Sequence, residues 1–169
     1  MRKIAVLLPF ILLSTPAGCT AQGGEVESVA PAESSKPAAP LSAVKATEVR
    51  DQAALEKLRG NAGLTLQWIS WEQRGILEVS QRGDVVHVKG AQLARDGKGR
   101  LEMEGDVLSI DTGHFIFRGQ IGIFETPDAG RSCLKDGDSE FAITQGRKYW
   151  RMREFEWCDD LTDYVDIYF

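Results

Sequence analysis

The sequence of 169 residues is poor in the side chains that most often build reactive centres, with only two histidines and three cysteines. His87 and His114 do not stand at metal-ligand spacing, and we expect both at solvent-facing or rim positions of strands. No serine or cysteine lies in a nucleophile context such as Gly-x-Ser-x-Gly. We therefore predict a protein that is not an enzyme, with no catalytic residue, no metal and no cofactor.

The sequence also lacks an apolar run long enough to span a bilayer. Its longest such run, IAVLLPFILL at residues 4–13, is interrupted by a proline and has about half of the roughly 20 residues that a spanning helix needs. Because it follows the positively charged start MRK, this run is typical of an export signal. We predict a signal peptide over residues 1–18.

Positive charge is in the minority, since 20 Lys and Arg stand against 25 Asp and Glu and give a net charge of −5. Removal of Arg2 and Lys3 with the signal peptide makes the remaining chain more acidic still. An acidic chain has no general affinity for nucleic acid or for anionic membrane surfaces. We predict no nucleic-acid partner.

The motif PAGC at residues 16–19 resembles the lipobox of bacterial lipoproteins, in which small residues precede a cysteine that becomes lipidated. The resemblance implies a lipid on Cys19 and a place in the bacterial cell envelope, facing the periplasm. Thr20, in place of Asp, resembles the pattern that sorts such proteins to the outer membrane. Ordinary cleavage after Ala17 or Ala21 is the alternative, and it gives a secreted or soluble periplasmic protein.

Three cysteines leave one thiol unpaired in an oxidising compartment. Cys133 and Cys158 flank strand-like sequence in the C-terminal half, so we predict a disulfide between them. Closing about 25 residues stabilises the fold by roughly 3 kcal/mol on the chain-entropy model. Cys19 is then the spare cysteine, and acylation accounts for it.

The next two segments lead into the folded domain. Residues 19–46 are rich in Ala, Ser, Pro, Glu and Gly and have no aromatic residue, which predicts a disordered tether behind the lipidated cysteine. Residues 47–61 predict a short helix, with Thr47 as its N-cap and Gly60 in the left-handed position after its end. Its narrow stripe of Ala54, Leu55 and Leu58 suits docking on a sheet.

Residues 62–169 follow a period of two, which is typical of strands. About eight short segments show it, and Gly and Asp turns separate them: LTLQWISW, GILEVS, DVVHVKG, GRLEMEG, HFIFRGQIGIF, EFAITQ, RKYWRMREFEW and DYVDIYF. We predict an all-β, mainly antiparallel domain, either a small closed barrel or a sandwich, with one short N-terminal helix. The segments LQWISW and TDYVDIYF are similar to those of uncharacterised secreted bacterial proteins, which implies no mechanism.

Two sets of aromatic residues are candidates for binding. One set could line a pocket inside a lipocalin-like barrel, although small barrels are often filled by their own side chains: Trp68, Phe115, Phe117 and Trp150. The other mixes aromatic and basic residues in a candidate binding strip, with a solvated strand face as the alternative: Trp71, Tyr149, Arg151 and Arg153. We expect Arg151 and Arg153 to lie across from Asp166 and Tyr168 in exposed pairs.

Acidic residues near the predicted disulfide have two interpretations. Asp136, Asp138, Asp159 and Asp160 could hold Ca²⁺, but their spacing differs from an EF-hand loop and we predict turns.

Together these features favour a non-enzymatic protein-binding or accessory module that contacts another envelope protein. Charged residues on the polar strand faces limit its predicted membrane contact to the lipid anchor. The alternative function is a carrier of a small apolar ligand.

Overall fold

The computed structural model describes residues 43–169. The elements in chain order are β1 (Glu48–Val49), α1 (Gln52–Arg59), β2 (Leu64–Leu66), β3 (Ile76–Arg82), β4 (Val85–Leu93), β5 (Arg100–Ile110), β6 (His114–Phe124), β7 (Ser132–Ala142), β8 (Tyr149–Met152) and β9 (Val165–Tyr168). The predicted signal peptide, Cys19 and most of the predicted tether lie outside the described residues, so they stay predictions. Residues 43–169 contain no helix with the length and apolar character needed to cross a membrane.

The strands β2 to β9 form one antiparallel sheet in the order β2-β9-β8-β7-β6-β5-β4-β3, a nearly closed barrel. Consecutive strands pair from β3 to β9, with a long loop at residues 153–164 between β8 and β9, and β2 completes the series by pairing with β9. The short strand β1 lies outside this order and pairs in parallel with β5. The predicted all-β class with one short helix is confirmed, and the barrel is the architecture.

The barrel closes between β2 and β3 through a few specific bonds. Gly75, directly before β3, exchanges backbone hydrogen bonds of 2.8 and 3.4 Å with Leu64. The buried side chain of Gln92 accepts a bond from the Leu66 amide and donates two to the carbonyls of Ser70 and Gln73. An amide side chain thus satisfies buried backbone groups that lack a strand partner.

Alternation along the long central strands separates the interior from the outer face. In β5, Leu101, Met103 and Val107 are buried, whereas Glu102 and Glu104 are exposed. The largest side chains of the interior come from β6, β7 and β8: Phe115, Phe117, Phe141 and Trp150, all fully buried.

The helix docks on the sheet as its stripe predicts, with Ala54, Leu55 and Leu58 buried. Gly60 directly follows the helix as predicted, but the predicted N-cap and the predicted conformation of Gly60 are wrong. Asp51 is the N-cap and accepts bonds from two helix amides, while the Thr47 hydroxyl instead donates to the Val107 carbonyl and accepts from the Val86 amide. Gly60 has a φ of −88° and not a left-handed conformation.

Several strands differ in length from their predicted segments. β2 ends at Leu66, because the amides of Ile69 and Ser70 turn back to the Leu66 carbonyl. β8 has only four residues, and β7 begins at Ser132, eight residues before the predicted segment. The predicted disulfide is present and joins Cys133, at the start of β7, to Cys158 in the loop before β9, with their Cα atoms 6.1 Å apart.

Candidate functional site

The outer face of β8 and β9 carries the polar half of both strands. Their antiparallel register places Tyr149 opposite Tyr168 and Arg151 opposite Asp166. Trp150 and Ile167, which lie between them, point into the core and are fully buried. Alternation therefore presents an arginine and two tyrosines on the same face.

Arg151 and Asp166 form a bidentate ion pair, with two N–H donors 2.7 Å from the two carboxylate oxygens. The Asp166 side chain is fully buried and that of Arg151 is only 12% exposed. Burial raises the pKa of the Asp166 carboxyl, and the Arg151 guanidinium opposes that shift. The Asp166 carboxylate in turn raises the pKa of Arg151. The expectation of an exposed pair is wrong, because aromatic rings cover it.

Three rings surround the Arg151 guanidinium on its outer side. Its central carbon lies 3.9 Å from the ring centroid of Tyr164, 5.2 Å from that of Tyr149 and 5.7 Å from that of Trp71. The rings of Trp71 and Tyr164 are themselves 6.4 Å apart. Arg151 is therefore held by a carboxylate from one side and by aromatic faces from the other.

Trp71 belongs to the segment between β2 and β3, far from β8 in sequence. Its neighbours Ser70 and Gln73 are fixed through their carbonyls to the buried Gln92 side chain. The contacts that close the barrel thus also position Trp71, which is 45% exposed.

Further arginines extend this cluster at its rim. Arg74 lies over the Tyr168 ring, Arg147 over the Tyr149 ring and Arg153 over the Phe155 ring. Phe155 in turn contacts Tyr164. We name the whole set the arginine–aromatic surface: Trp71, Arg74, Arg147, Tyr149, Arg151, Arg153, Phe155, Tyr164 and Tyr168. Among the described residues, no carboxylate pairs with Arg74, Arg147 or Arg153.

The predicted strip is thus part of a larger surface. Trp71, Tyr149 and Arg151 come together, and Arg153 joins them through Phe155. The prediction that Arg153 lies across from Tyr168 is wrong, since the register gives that place to Tyr149. The predicted strip did not include five further residues of this surface: Arg74, Arg147, Phe155, Tyr164 and Tyr168. The alternation in DYVDIYF is the signal that could have placed both tyrosines beside Asp166.

Three residues of the predicted pocket lie in the packed core. Phe115 stacks on Phe141 at 4.9 Å and meets Trp150 edge-on at 5.7 Å. Phe117 meets Phe141 edge-on as well. These fully buried rings contact one another and leave the described interior filled at this level.

Trp68 departs from the predicted pocket. It is 39% exposed, and its indole N–H donates to the buried carboxylate of Asp163 at 3.0 Å. Asp163 also forms a bidentate pair with Arg131, whose side chain is only 4% exposed. Trp68 therefore belongs to a buried polar network beside the disulfide and does not lie with Phe115, Phe117 and Trp150.

The acidic residues near the disulfide do not converge on one point. Asp136 and Asp138 lie within β7 and not in the predicted turn, where they contact Gln120 and Arg118, whereas Asp159 lies beside Arg131. Among the described residues, one group of metal-ligand type comes together, formed by Cys133, Cys158 and Asp159. Its two sulfur atoms are joined in the disulfide, so they are not the thiolates that bind metals.

His87 is buried and not solvent-facing as expected. It is 6% exposed on the outer side of β4, and its Nδ1 lies 2.7 Å from the Asp106 carboxylate on β5. His114, by contrast, is partly exposed at the start of β6, 3.0 Å from Asp111.

The fold and surface together define a small antiparallel β-barrel domain with an arginine–aromatic cluster on two adjoining strands. Residues 46–169 match the model of the PM1083 family, and the chain belongs to that family. It is similar to the uncharacterised protein PM1083 of Pasteurella multocida strain Pm70, with 37% identity over 115 residues, which cover 67% of this chain and 74% of that protein. No solved structure matches the chain.

Proposed function

We propose that this chain is a lipid-anchored protein of the bacterial cell envelope whose barrel domain is a non-enzymatic protein-binding module. The anchor rests on the lipobox resemblance at Cys19, and the binding role rests on the arginine–aromatic surface. The partner is an envelope protein that faces the periplasm.

The observation that carries the binding role is the composition of this surface, which is partly exposed and includes the exposed residues Trp71, Arg74 and Arg153. Tryptophan, tyrosine and arginine are the residues that contribute most to protein–protein binding. Here Trp71 is 45% exposed and three neighbouring arginines lack a carboxylate among the described residues. On a chain with a net charge of −5, such a patch favours a partner surface with carboxylates and an apolar anchor.

The rigid support of the surface favours the same role. Arg151 is fixed by two hydrogen bonds to Asp166, and the ring centroids of Tyr149 and Tyr168 are 5.0 Å apart. Side chains held in place before binding lose less conformational entropy when a partner arrives. The carrier alternative has no comparable support, since the predicted pocket residues Phe115, Phe117 and Trp150 pack against their neighbours.

Site-specific photo-crosslinking tests the binding role. A photoreactive amino acid replaces Trp71 in the full chain, in cells that produce it, and a discrete adduct with one protein is expected. Arg153→Glu in the same chain should remove that adduct, because it inverts a charge of the surface. Arg82, an exposed arginine at the end of β3, is the control position. The crosslinker placed there should give no such adduct, and Arg82→Glu should leave the adduct from position 71 unchanged. Equal adducts from positions 71 and 82, or none from position 71, contradict the proposal.

The anchor is tested separately by intact mass of the protein purified from membranes. Acylation at Cys19 adds the mass of its fatty chains, and Cys19→Ser should release the protein into the soluble fraction. An unmodified Cys19 thiol contradicts the anchor and leaves the barrel's binding role to the crosslinking result.

A further inference from the structure

A second feature of the barrel surface is an apolar groove that shares no residue with the arginine–aromatic surface. It has a volume of about 650 Å³ and crosses the outer face from β3 to β7. Three large apolar side chains line it and are unusually exposed: Ile76 at 72%, Leu93 at 57% and Leu134 at 61%. These are half of the six exposed large hydrophobic side chains among the described residues, so their clustering marks an interaction surface.

The strand register explains how a groove forms on the outside of a barrel. One cross-strand row runs Ile76, Ala91, Glu102, Gly122 and Leu134. The ends of the row are large, whereas Ala91 and Gly122 are small and keep the floor low. A Cβ added at Gly122 would overlap the Phe124 ring, so a side chain at this position requires that ring to move. The low floor is therefore built into the sequence.

The neighbouring cross-strand row supplies an acidic rim and runs Glu78, Lys89, Glu104, Gln120 and Asp136. Lys89 is paired with Glu104 at 2.8 Å, and the nearby Glu102 is paired with Arg100. Glu78 at one end and Asp136 at the other have no cationic partner among the described residues. Asp136 accepts one side-chain hydrogen bond, from the Gln120 amide. Four strand spacings separate Glu78 from Asp136, a distance of about 19 Å along the sheet.

The backbone of the groove floor excludes one mode of binding. β4, β5 and β6 are each paired with strands on both sides, so their backbone groups are used within the sheet. A partner that lies on this floor therefore adds no strand to β4, β5 or β6 and binds through side chains. An amphipathic helix does so, and about 13 helical residues match the length of about 19 Å along the sheet from β3 to β7.

We propose that this groove binds a cationic amphipathic helix of a partner protein. Its apolar stripe lies on Ile76, Leu93 and Leu134, and basic side chains about three and a half turns apart meet Glu78 and Asp136. A second copy of the described domain offers no such helix, because the apolar stripe of α1 is already buried against its own sheet. The groove is a second binding surface, with a charge opposite to that of the arginine–aromatic surface. Its proposed role does not depend on the role proposed for the arginine–aromatic surface.

Peptide titration tests the proposal with the whole chain. The probe is a synthetic helical peptide of about 14 residues with a leucine stripe and lysines near both ends. One control peptide carries glutamates in place of the lysines, and another has the same composition with the stripe scrambled. We expect the lysine peptide to bind at least about tenfold more tightly than either control, and its affinity to fall as salt is added.

Variants locate the binding site. Leu134→Asp should weaken binding of the lysine peptide by about tenfold or more, and the pair Glu78→Lys and Asp136→Lys should shift the preference to the glutamate peptide. Asp128→Lys, an exposed loop carboxylate between β6 and β7, is the matched control and should change little. Circular dichroism melting shows whether each variant is folded.

Three outcomes overturn the proposal. The first is equal affinity for the lysine, glutamate and scrambled peptides, or binding that Leu134→Asp leaves unchanged. The second is self-association in sedimentation that Leu134→Asp abolishes, which assigns the groove to a second copy. The third is binding to phosphatidylcholine–phosphatidylglycerol vesicles that the same substitution abolishes, which assigns it to lipid.

Discussion

At the scale of single residues, the side chain of Arg151 contacts two kinds of partner, a buried carboxylate and aromatic rings. Its bidentate bonds to the buried Asp166 neutralise a carboxylate that could not remain charged alone inside the protein. Its outer side meets the faces of Tyr164, Tyr149 and Trp71. The same arginine is therefore both a structural ion and the centre of the proposed binding surface, which makes it a poor probe of binding.

Removal of one partner of the Arg151–Asp166 pair should lower the stability of the fold. We expect Asp166→Asn to lower the free energy of unfolding by about 3–5 kcal/mol, because the Arg151 charge then lacks its carboxylate in a site with little water. Urea denaturation measures the change. The double variant Arg151→Met with Asp166→Leu should lose much less, since it removes both charges together. Equal losses in the single and double variants contradict the argument.

The sequence predicts that Arg151 faces Asp166, because alternation places both side chains on the polar face of neighbouring strands. It does not predict the burial of the pair. The rings that cover it come from three separate parts of the chain, namely Trp71 before β3, Tyr149 on β8 and Tyr164 before β9. Such coverage depends on tertiary contacts that a local pattern does not contain.

At the scale of elements, the sequence predicts strand bounds best where the strand's own residues favour extended structure and no distant side chain ends it. β6 was predicted with its observed bounds, His114–Phe124, because the segment is long and rich in Phe and Ile, which favour strands. The segment LTLQWISW has a period of two, but only Leu64–Leu66 is a strand. The rest turns away to close the barrel on Gln92. Gln92 replaces these strand bonds from 19 to 26 residues away, so no periodic pattern in the local sequence indicates them.

The start of α1 is joined to the β5–β6 turn through Asp51, and a second aspartate, Asp111, stabilises the turn itself. Asp51 caps the helix and also accepts a 2.7 Å bond from the Thr112 hydroxyl in that turn. This hydroxyl, followed by the Ala54 amide, lowers the pKa of Asp51. Asp111 accepts bonds from the amides of Gly113 and His114 within the turn, and the Gly113 amide is the main cause of its lowered pKa. Both elements therefore depend on ionised carboxylates.

The lowered pKa of Asp111 predicts the sign of a pH effect. A carboxyl with a lower pKa in the folded state stabilises the fold above its ordinary value near 3.8, and this contribution is lost as the pH falls through the folded value. Asp111→Asn keeps an acceptor but removes the charge, so we expect it to be less stable by up to about 1 kcal/mol above that range. Urea denaturation from about pH 5.5 to about pH 2.5 should show the two proteins converging at the acid end. A difference that stays constant or grows toward low pH contradicts the assignment.

At the scale of the whole molecule, two kinds of link hold the barrel together where the sheet does not. Gln92 joins β4 to the segment after β2, and the disulfide joins the start of β7 to the loop before β9. The second link matters because β7 and β8 pair over only two residues, Phe141 with Met152 and Ala142 with Arg151. Beyond that point the loop is held by Cys158 and by the Arg131–Asp163 pair.

The disulfide should therefore contribute strongly to the stability of the whole domain. It closes a loop with a sequence separation of 25, which is worth about 3–4 kcal/mol on the chain-entropy model. We expect the double variant Cys133→Ala with Cys158→Ala, and the reduced protein, to lose about this amount in urea denaturation. Reduction breaks the disulfide without changing the size of either side chain. If the reduced protein and the double variant lose the same free energy of unfolding, the loss therefore comes from the disulfide and not from the alanines. If neither loses stability, the short β7–β8 pairing and the buried ion pair hold the loop by themselves.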